Sequence, residues 1–231
     1  AGDRMRLIAM TTDENQGKVI ITTTHSDSVS KSSVETGYTV DSDGAIKIKR
    51  QINITDNSLP EIPRIGVKFS LNGDFKNVSW FGRGPHESYW DRKQSAAIGF
   101  YSGSVWDQTF QYVRPQETGN KTDVYWMALE TDKAGFMAIG LPQFDGSVHQ
   151  YPYEDLDYYP GSQKHGKLDI VSKNQTDWLI DYRQTGVGGD NSWGAKPMKK
   201  YTLYPGIYEH SFILIPYRVG SDLNRVSKRR I

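Results

Sequence analysis

Five carboxylates, Glu87, Asp91, Glu117, Asp123 and Asp190, stand in three polar segments punctuated by glycine and proline. Hydrolysis of a glycosidic bond needs two such groups flanking it, ~5–5.5 Å apart for retention of configuration or ~6.5–9.5 Å for inversion. Sugar mutarotation needs a general acid and a general base, and His86 with Glu87 or Glu117 offers the right types. Arg83 stands four residues before Glu87, and Arg92 follows Asp91. Ion pairs that hold a loop's shape are the commoner use of such charges. Asn120 and Asp123 carry side chains suited to closing a loop through backbone hydrogen bonds. Trp193 is of another kind: it follows Gly188-Gly189-Asp190-Asn191-Ser192, a glycine-rich loop with no core for an indole to fill.

Other chemistries find little support. The histidines at 25, 86, 149, 165 and 210 are scattered and cysteine is absent, so neither a metal centre nor a disulfide framework is expected. No G-x-S-x-G segment marks an acyl nucleophile. GVGGDNSWG (residues 186–194) lacks phosphate-loop spacing, and Lys196-Pro197 falls where a helix would have to begin, so no nucleotide cofactor is expected. A formal net charge of +1 predicts no electrostatic funnel for nucleic acid or an anionic membrane. No apolar run approaches the ~20 residues that span a bilayer, and the N-terminal residues lack the basic-then-apolar shape of a secretory signal. The compartment stays undetermined.

The elements that must position these residues read as strands. Lys18–Ser26, Ser32–Val40 and Ala45–Thr55 form a meander around a turn at Asp41-Ser42-Asp43-Gly44; AIKIKRQINIT alternates apolar and polar residues throughout. The prolines of Asn57–Pro63 predict a crossover between sheets. Arg64–Leu71 and Asn77–Phe81 read as a hairpin closed at Asn72-Gly73. Ala96–Tyr101, Val105–Phe110, Val124–Thr131 and Gly135–Leu141 continue the series, and Trp178–Thr185 leads into the third polar segment. Tyr201–Tyr204 and Tyr208–Pro216 read as a closing hairpin around Pro205-Gly206. Gln150–His165 is the one short helical candidate, stopped by Pro160-Gly161. About fifteen strand candidates imply two packed antiparallel sheets in one domain over residues 1–217. The polar, basic tail 218–231 reads as disordered or docked on another domain. With 14 Tyr and 6 Trp, the composition suits both an all-β core and a surface that meets sugars.

The three polar segments also resemble a known family. Gly82, Gly84, Pro85, Glu87, Tyr89, Asp91 and Arg92 fit G-x-GP-x-E-x-Y-x-DR, found in the C-terminal domain of the large bacterial β-galactosidases of glycoside hydrolase family 2. Tyr112, Val113, Pro115, Gln116, Glu117, Gly119, Asn120, Thr122 and Asp123 resemble that family's YxxPQENGN-x-TDVRW, departing at Thr118 and Tyr125. Gly186–Gly194 resembles its GGD-x-SW loop, and all three occur in the family's order. The resemblance, from about residue 18 to 217, implies a large antiparallel β-supersandwich similar to galactose mutarotase. It also implies that the catalytic glutamates lie on a preceding (β/α)₈ barrel, which takes about 250 residues and has no counterpart pattern here. The chain alone is then expected to be inactive. Trp193, with Asp190 and Ser192, is expected to reach the partner barrel's galactoside site. Arg83, His86, Glu87, Tyr89, Asp91, Arg92, Glu117, Asn120 and Asp123 are candidate lining of a sugar pocket. The resemblance further implies a homo-oligomeric parent. The competing readings are a free-standing mutarotase-like epimerase and a carbohydrate-binding module.

Overall fold

The computed structural model describes residues 4–157, 170–191 and 193–231. The described residues form eleven antiparallel strands: β1 (Arg6–Asn15), β2 (Lys18–Asp27), β3 (Ser32–Val40), β4 (Ile46–Ile54), β5 (Arg64–Asn72), β6 (Asn77–Gly84), β7 (Ala97–Ser104), β8 (Lys121–Glu130), β9 (Ala134–His149), β10 (Gln175–Gln184) and β11 (Ile207–Arg218). They run in the order β1-β2-β3-β4-β11-β9-β8-β6-β7, with β10 added to β9 and β5 to β10. The fold is all-β, as the alternation predicts.

Hydrogen bonds make this one continuous sheet, and β9 turns it into two layers. Its first half, Ala134–Gly140, pairs with β11 and β8, while Asp145–His149 pairs with β10. Between them the strand folds so sharply that a Cβ on Gly140 would meet the Gln143 backbone at 2.6 Å, which only glycine permits. Carried past the bend, β10 and β5 cover the first layer. Trp178 and Ile180 of β10 and Phe69 of β5 pack against Ile48, Trp80, Met127, Leu129 and Phe212 of the first layer. Phe69 meets Phe212 edge-on at 6.3 Å between ring centres.

The opposite face of the first layer carries a second apolar cluster of Trp126, Ala128, Met137, Ile139, Ile213 and Ile215. The C-terminal residues cover it, which corrects the expectation for the tail. A short helix, α1 (Leu223–Val226), capped by the Asp222 side chain, brings Leu223, Val226 and Ile231 onto this face. Arg229 pairs with Asp41 at 3.3 Å and Asp43 at 2.6 Å. Full burial of such an aliphatic side chain is worth ~1.5–3 kcal/mol; the partial burial of these three contributes a share of that and, with the Arg229 ion pairs, fixes a polar, basic tail.

Four other expectations change. β1 precedes the expected first strand; all ten of its residues are exposed, so no burial pattern announces it. It reaches β2 through Gln16 and Gly17, both at positive φ (52° and 74°), the twist a two-residue hairpin turn requires. β5 and β6 do not pair: Asn72-Gly73 carries the chain from the second layer back to the first, where β6 lies between β8 and β7. Val105–Phe110 is not a strand but contains a turn of 3₁₀ helix, Trp106–Gln108. Tyr201–Tyr204 contributes only a bridge from Leu203 to Ile62, and β11 pairs with β4 and β9 instead. Of the helical candidate, Tyr153–Leu156 is 3₁₀ helix; residues 158–169 lie outside the described residues.

Candidate functional site

The three polar segments converge, and carboxylates tie them together. Glu87, after β6, is the hub of the first two. Its Oε2 accepts from the Gly119 amide at 2.8 Å, the Thr118 hydroxyl at 3.3 Å and the Tyr89 hydroxyl at 3.4 Å. Its Oε1 accepts from Arg92 at 3.1 Å and from the Tyr112 hydroxyl. Beside it, the Ser88 amide donates to the Asn120 carbonyl and the Asn120 side chain donates to the Ser88 carbonyl. Gly119 takes φ +76°, and a Cβ there would strike the Gln108 carbonyl at 2.5 Å. The two loops thus close on each other as one braced unit.

Arg83 reaches Asp123 at 2.6 Å rather than Glu87, and Lys93 reaches the same carboxylate at 2.8 Å. Burial raises the Asp123 pKa, but the hydrogen bonds from Lys93 and Arg83 outweigh it and hold the group below its ordinary value. Asp123 sits at φ 54°, a region that Asp tolerates better than most residues. The expected backbone bond from Asp123 is replaced by these ion pairs.

Asp91 ties the third segment to the first. Its two oxygens accept from the amides of Val187 at 3.1 Å and Gly188 at 2.8 Å. Gly186 lies so close that a Cβ would meet the Asp91 carboxyl carbon at 2.5 Å. Beyond this clamp, Gly188, Gly189 and Gly194 all have positive φ, and Asn191 Oδ1 accepts from the Trp193 amide at 2.8 Å. The outcome is a shaped loop with Trp193 91% exposed and Asp190 exposed beside it. Ser192 lies outside the described residues. A groove of 470 Å³ lined by Ile62, Pro63, Thr185, Pro197 and Tyr204 runs at the base of this loop.

Glu117 faces inward. Its Oε2 accepts from Arg64 at 3.2 Å and from the Tyr153 hydroxyl, and Arg64 also donates to Gln184 at 2.8 Å. Arg64 Nε lies 2.9 Å from Asp181 Oδ2 without its N–H directed at that oxygen, an ion pair rather than a hydrogen bond. Around it lie Asp145, His149 and Lys121, all buried. Burial pushes Asp181 up to about 7 and Asp145 up to about 6. It pushes His149 down to about 3 and Lys121 down to about 8. These groups went unnoticed in the sequence, although β10 carries the signal: Asp177 and Asp181 alternate with Trp178 and Ile180, marking a polar face opposite the core face.

The candidates therefore separate by role. Tyr89 and Asn120 are fully buried and brace the loops from inside, so they do not line an open surface. His86 is exposed and meets Ser95 at 3.0 Å, away from the Glu117 network. Both Glu87 oxygens are occupied by donors. No acid and base converge there on one cleft, as mutarotation would require. Among the described residues no cluster of His, Cys, Asp or Glu could hold a metal ion.

Comparison with known proteins covers most of the chain. A family model described as the β-galactosidase small chain matches residues 3–214. The β-galactosidase of Priestia megaterium is 41% identical over 181 residues, 78% of this chain and 17% of that protein. That of Halalkalibacterium halodurans is 29% identical over 203 residues, 86% of this chain and 20% of that protein. The chain thus spans about a fifth of the length of these relatives. Among solved structures, the galactosidase domain of an α-galactosidase–sucrose kinase aligns with TM-score 0.48 and 12% identity, covering 92% of this chain and 28% of that one. A galactose 1-epimerase from Lactobacillus acidophilus aligns with TM-score 0.47 and 8% identity, covering 90% and 66%.

Proposed function

Because the chain belongs to the β-galactosidase small-chain family, we propose that it is the non-catalytic C-terminal domain of a β-galactosidase-like glycoside hydrolase. In this reading the catalytic carboxylates stand on a separate barrel domain of a homo-oligomeric parent. This domain closes one side of the galactoside pocket and excludes water from it. The supporting observation is Trp193: an indole 91% exposed on a loop held by Asp91 and three positive-φ glycines. An exposed indole on a fixed loop is shaped to meet something, and its flat face suits the C–H face of a pyranose. Asp190 and the segment around it would accompany it at the pocket's rim. Asp91 would serve that loop as its support, and Glu87, which accepts from Tyr89 and Arg92 on either side of Asp91, would brace the segment that carries it, holding Trp193 within the tolerance a binding site demands.

The test is Trp193→Ala in the full-length galactosidase. Losing one stacking contact worth ~1–1.5 kcal/mol raises KM for a chromogenic galactoside by about tenfold, with the thermal midpoint unchanged. The 231-residue chain alone is expected to hydrolyse no galactoside. Unchanged kinetics in the variant, or turnover by the isolated chain, would refute the assignment.

A further inference from the structure

In a regular strand Asp181 and Gln184, three residues apart, would point to opposite faces. The ladder between β10 and β5 shifts between Asp181 and Arg183, so β10 takes one residue more than β5 and Gln184 turns to the side of Asp181. Such bulges re-aim a side chain. Here both side chains are brought to Arg64 of β5. Gln184 is the direct register partner of Arg64, and Asp181 is that of Gly66, two residues on and on the same face. The Asp181 carboxyl lies across Gly66, where a Cβ would come within 1.8 Å of its Oδ1.

Arg64 cannot serve all its neighbours at once. Its Nη2 donates to Gln184 at 2.8 Å and to Glu117 at 3.2 Å, which joins the second polar segment to the strand end where the Trp193 loop begins. Its Nε lies 2.9 Å from Asp181 Oδ2, yet neither atom makes a hydrogen bond among the described residues. An ionised oxygen buried there would need that donor. A small turn of the guanidinium would supply it and draw Nη2 off Glu117 and Gln184. A second acid opposes ionisation: Asp145 of β9 is the register partner of Asp181 on its other side, is also buried, and its Oδ2 likewise accepts no hydrogen bond. The other charged or titratable groups near Asp181 have partners of their own. Arg183 of β10 lies 3.9 Å from Asp145 and over the Trp90 ring, and Arg50 of β4 donates to the Gly66 carbonyl at 2.6 Å. Tyr153 donates to Glu117, His149 of β9 meets the Tyr151 hydroxyl at 3.2 Å, and Lys121 of β8 donates to the Gly119 carbonyl at 3.2 Å.

We propose that Arg64 is a positioning residue whose hold on the root of the Trp193 loop is set by the proton on Asp181. With Asp181 protonated, Arg64 clamps Glu117 and Gln184 and fixes the strand end. When that proton leaves to solvent, the Nε–H turns to the carboxylate and both are released. The loop root then rests on the Thr185 amide bonded to the Pro63 carbonyl at 2.9 Å, the Gly186 amide bonded to the Tyr201 carbonyl at 2.7 Å, and the Asp91 clamp. Burial pushes Asp181 up to about 7, which sets the change at neutral pH. The effect on a galactoside rests on the role proposed for Trp193; the latch itself does not.

Nuclear magnetic resonance of the 231-residue chain from pH about 5 to about 9 tests it. The Arg64 Nε–H signal, assigned by its loss in Arg64→Lys, is expected to move downfield with a midpoint at about pH 7. The order parameters of the Thr185–Gly188 amides fall with the same midpoint, a loss of rigidity that a change of charge alone would not cause. Asp181→Asn abolishes both changes and keeps the rigid loop at every pH. Asp145→Asn, which removes the opposing acid, moves both midpoints to lower pH and serves equally if Asp181→Asn does not fold. Wild-type order parameters that do not change with pH, a step that persists in Asp181→Asn, or a midpoint unmoved in Asp145→Asn overturns the proposal. In the full-length galactosidase the same step is expected in KM for a chromogenic galactoside and is absent from Asp181→Asn. A step in the order parameters without one in KM supports the latch and counts against the role of Trp193 instead.

Discussion

Glu87 gives the sharpest test of whether the first two loops are a brace or a reactive centre. In Glu87→Ala the Gly119 amide and the Thr118 hydroxyl, both on buried residues, lose their acceptor together with the Tyr112 hydroxyl. Thr118 keeps a partner in the Phe110 carbonyl at 3.1 Å and the half-buried Tyr112 hydroxyl can turn to water, so the full penalty falls chiefly on the Gly119 amide and the hydroxyl of the buried Tyr89. A buried donor left unpaired costs ~1–3 kcal/mol, which places the substitution near a loss of ~3–4 kcal/mol. For a domain of this size each kcal/mol moves the thermal midpoint ~2–4 °C, so circular dichroism should show a fall of about 6–16 °C. Glu87→Gln discriminates further. With its amide group turned toward Tyr112, whose hydroxyl can reverse and accept, it keeps the Gly119 bond to a neutral oxygen and gives up half-exposed Arg92. Exposed ion pairs contribute ~0–1 kcal/mol and a neutral acceptor is about half as strong as a charged one, so the loss is ~1–2 kcal/mol. A Glu87→Ala midpoint within 2 °C of wild type, judged by that same ~2–4 °C per kcal/mol, would refute the brace. An Ala variant no worse than Gln would do so as well.

Other consequences follow from the same geometry. Gly186→Ala places a methyl group where the Asp91 carboxyl stands; it should cost ~1–3 kcal/mol and speed proteolytic cleavage between residues 187 and 197, seen by mass spectrometry. Asp181 has its folded-state pKa raised to about 7 by burial, so its contribution to stability is complete below the ordinary carboxylate range and is lost as pH rises through about 7. Asp181→Asn removes that dependence: between pH 4 and 7 the variant should gain on the wild type by at most ~1.4 kcal/mol per pH unit, measured by urea unfolding across that range. A constant difference would show that the carboxyl stays ionised. Val226→Asp, which puts a charge where α1 meets the Trp126 cluster, should release the C-terminal residues and expose Trp126, read as a red-shifted tryptophan emission.

Local pattern decided much of this protein. Alternation in AIKIKRQINIT specified a strand with one buried face, because a strand's side chains point to opposite faces in turn. The spacing of Glu87, Asp91, Glu117 and Asp123 among glycines and prolines marked polar segments that converge in the fold, and the isolated Trp193 was legible because no apolar pattern surrounds it. Which charges would meet was not legible. Arg83 passes over Glu87, four residues away, for Asp123, forty residues on; sequence proximity sets only what is reachable, and the pairing follows from which loop β8 lays beside β6. β1 left no trace because both its faces are exposed, and strand pattern is a record of burial. The β5–β10 pairing likewise could not be read from Asn72-Gly73, since a turn signal reports a change of direction but not which strand lies at the far side of it. Only the bend at Gly140 decides that, by carrying β10 and β5 across the first layer, and the buried Arg64–Glu117–Asp181 network exists because of that crossing.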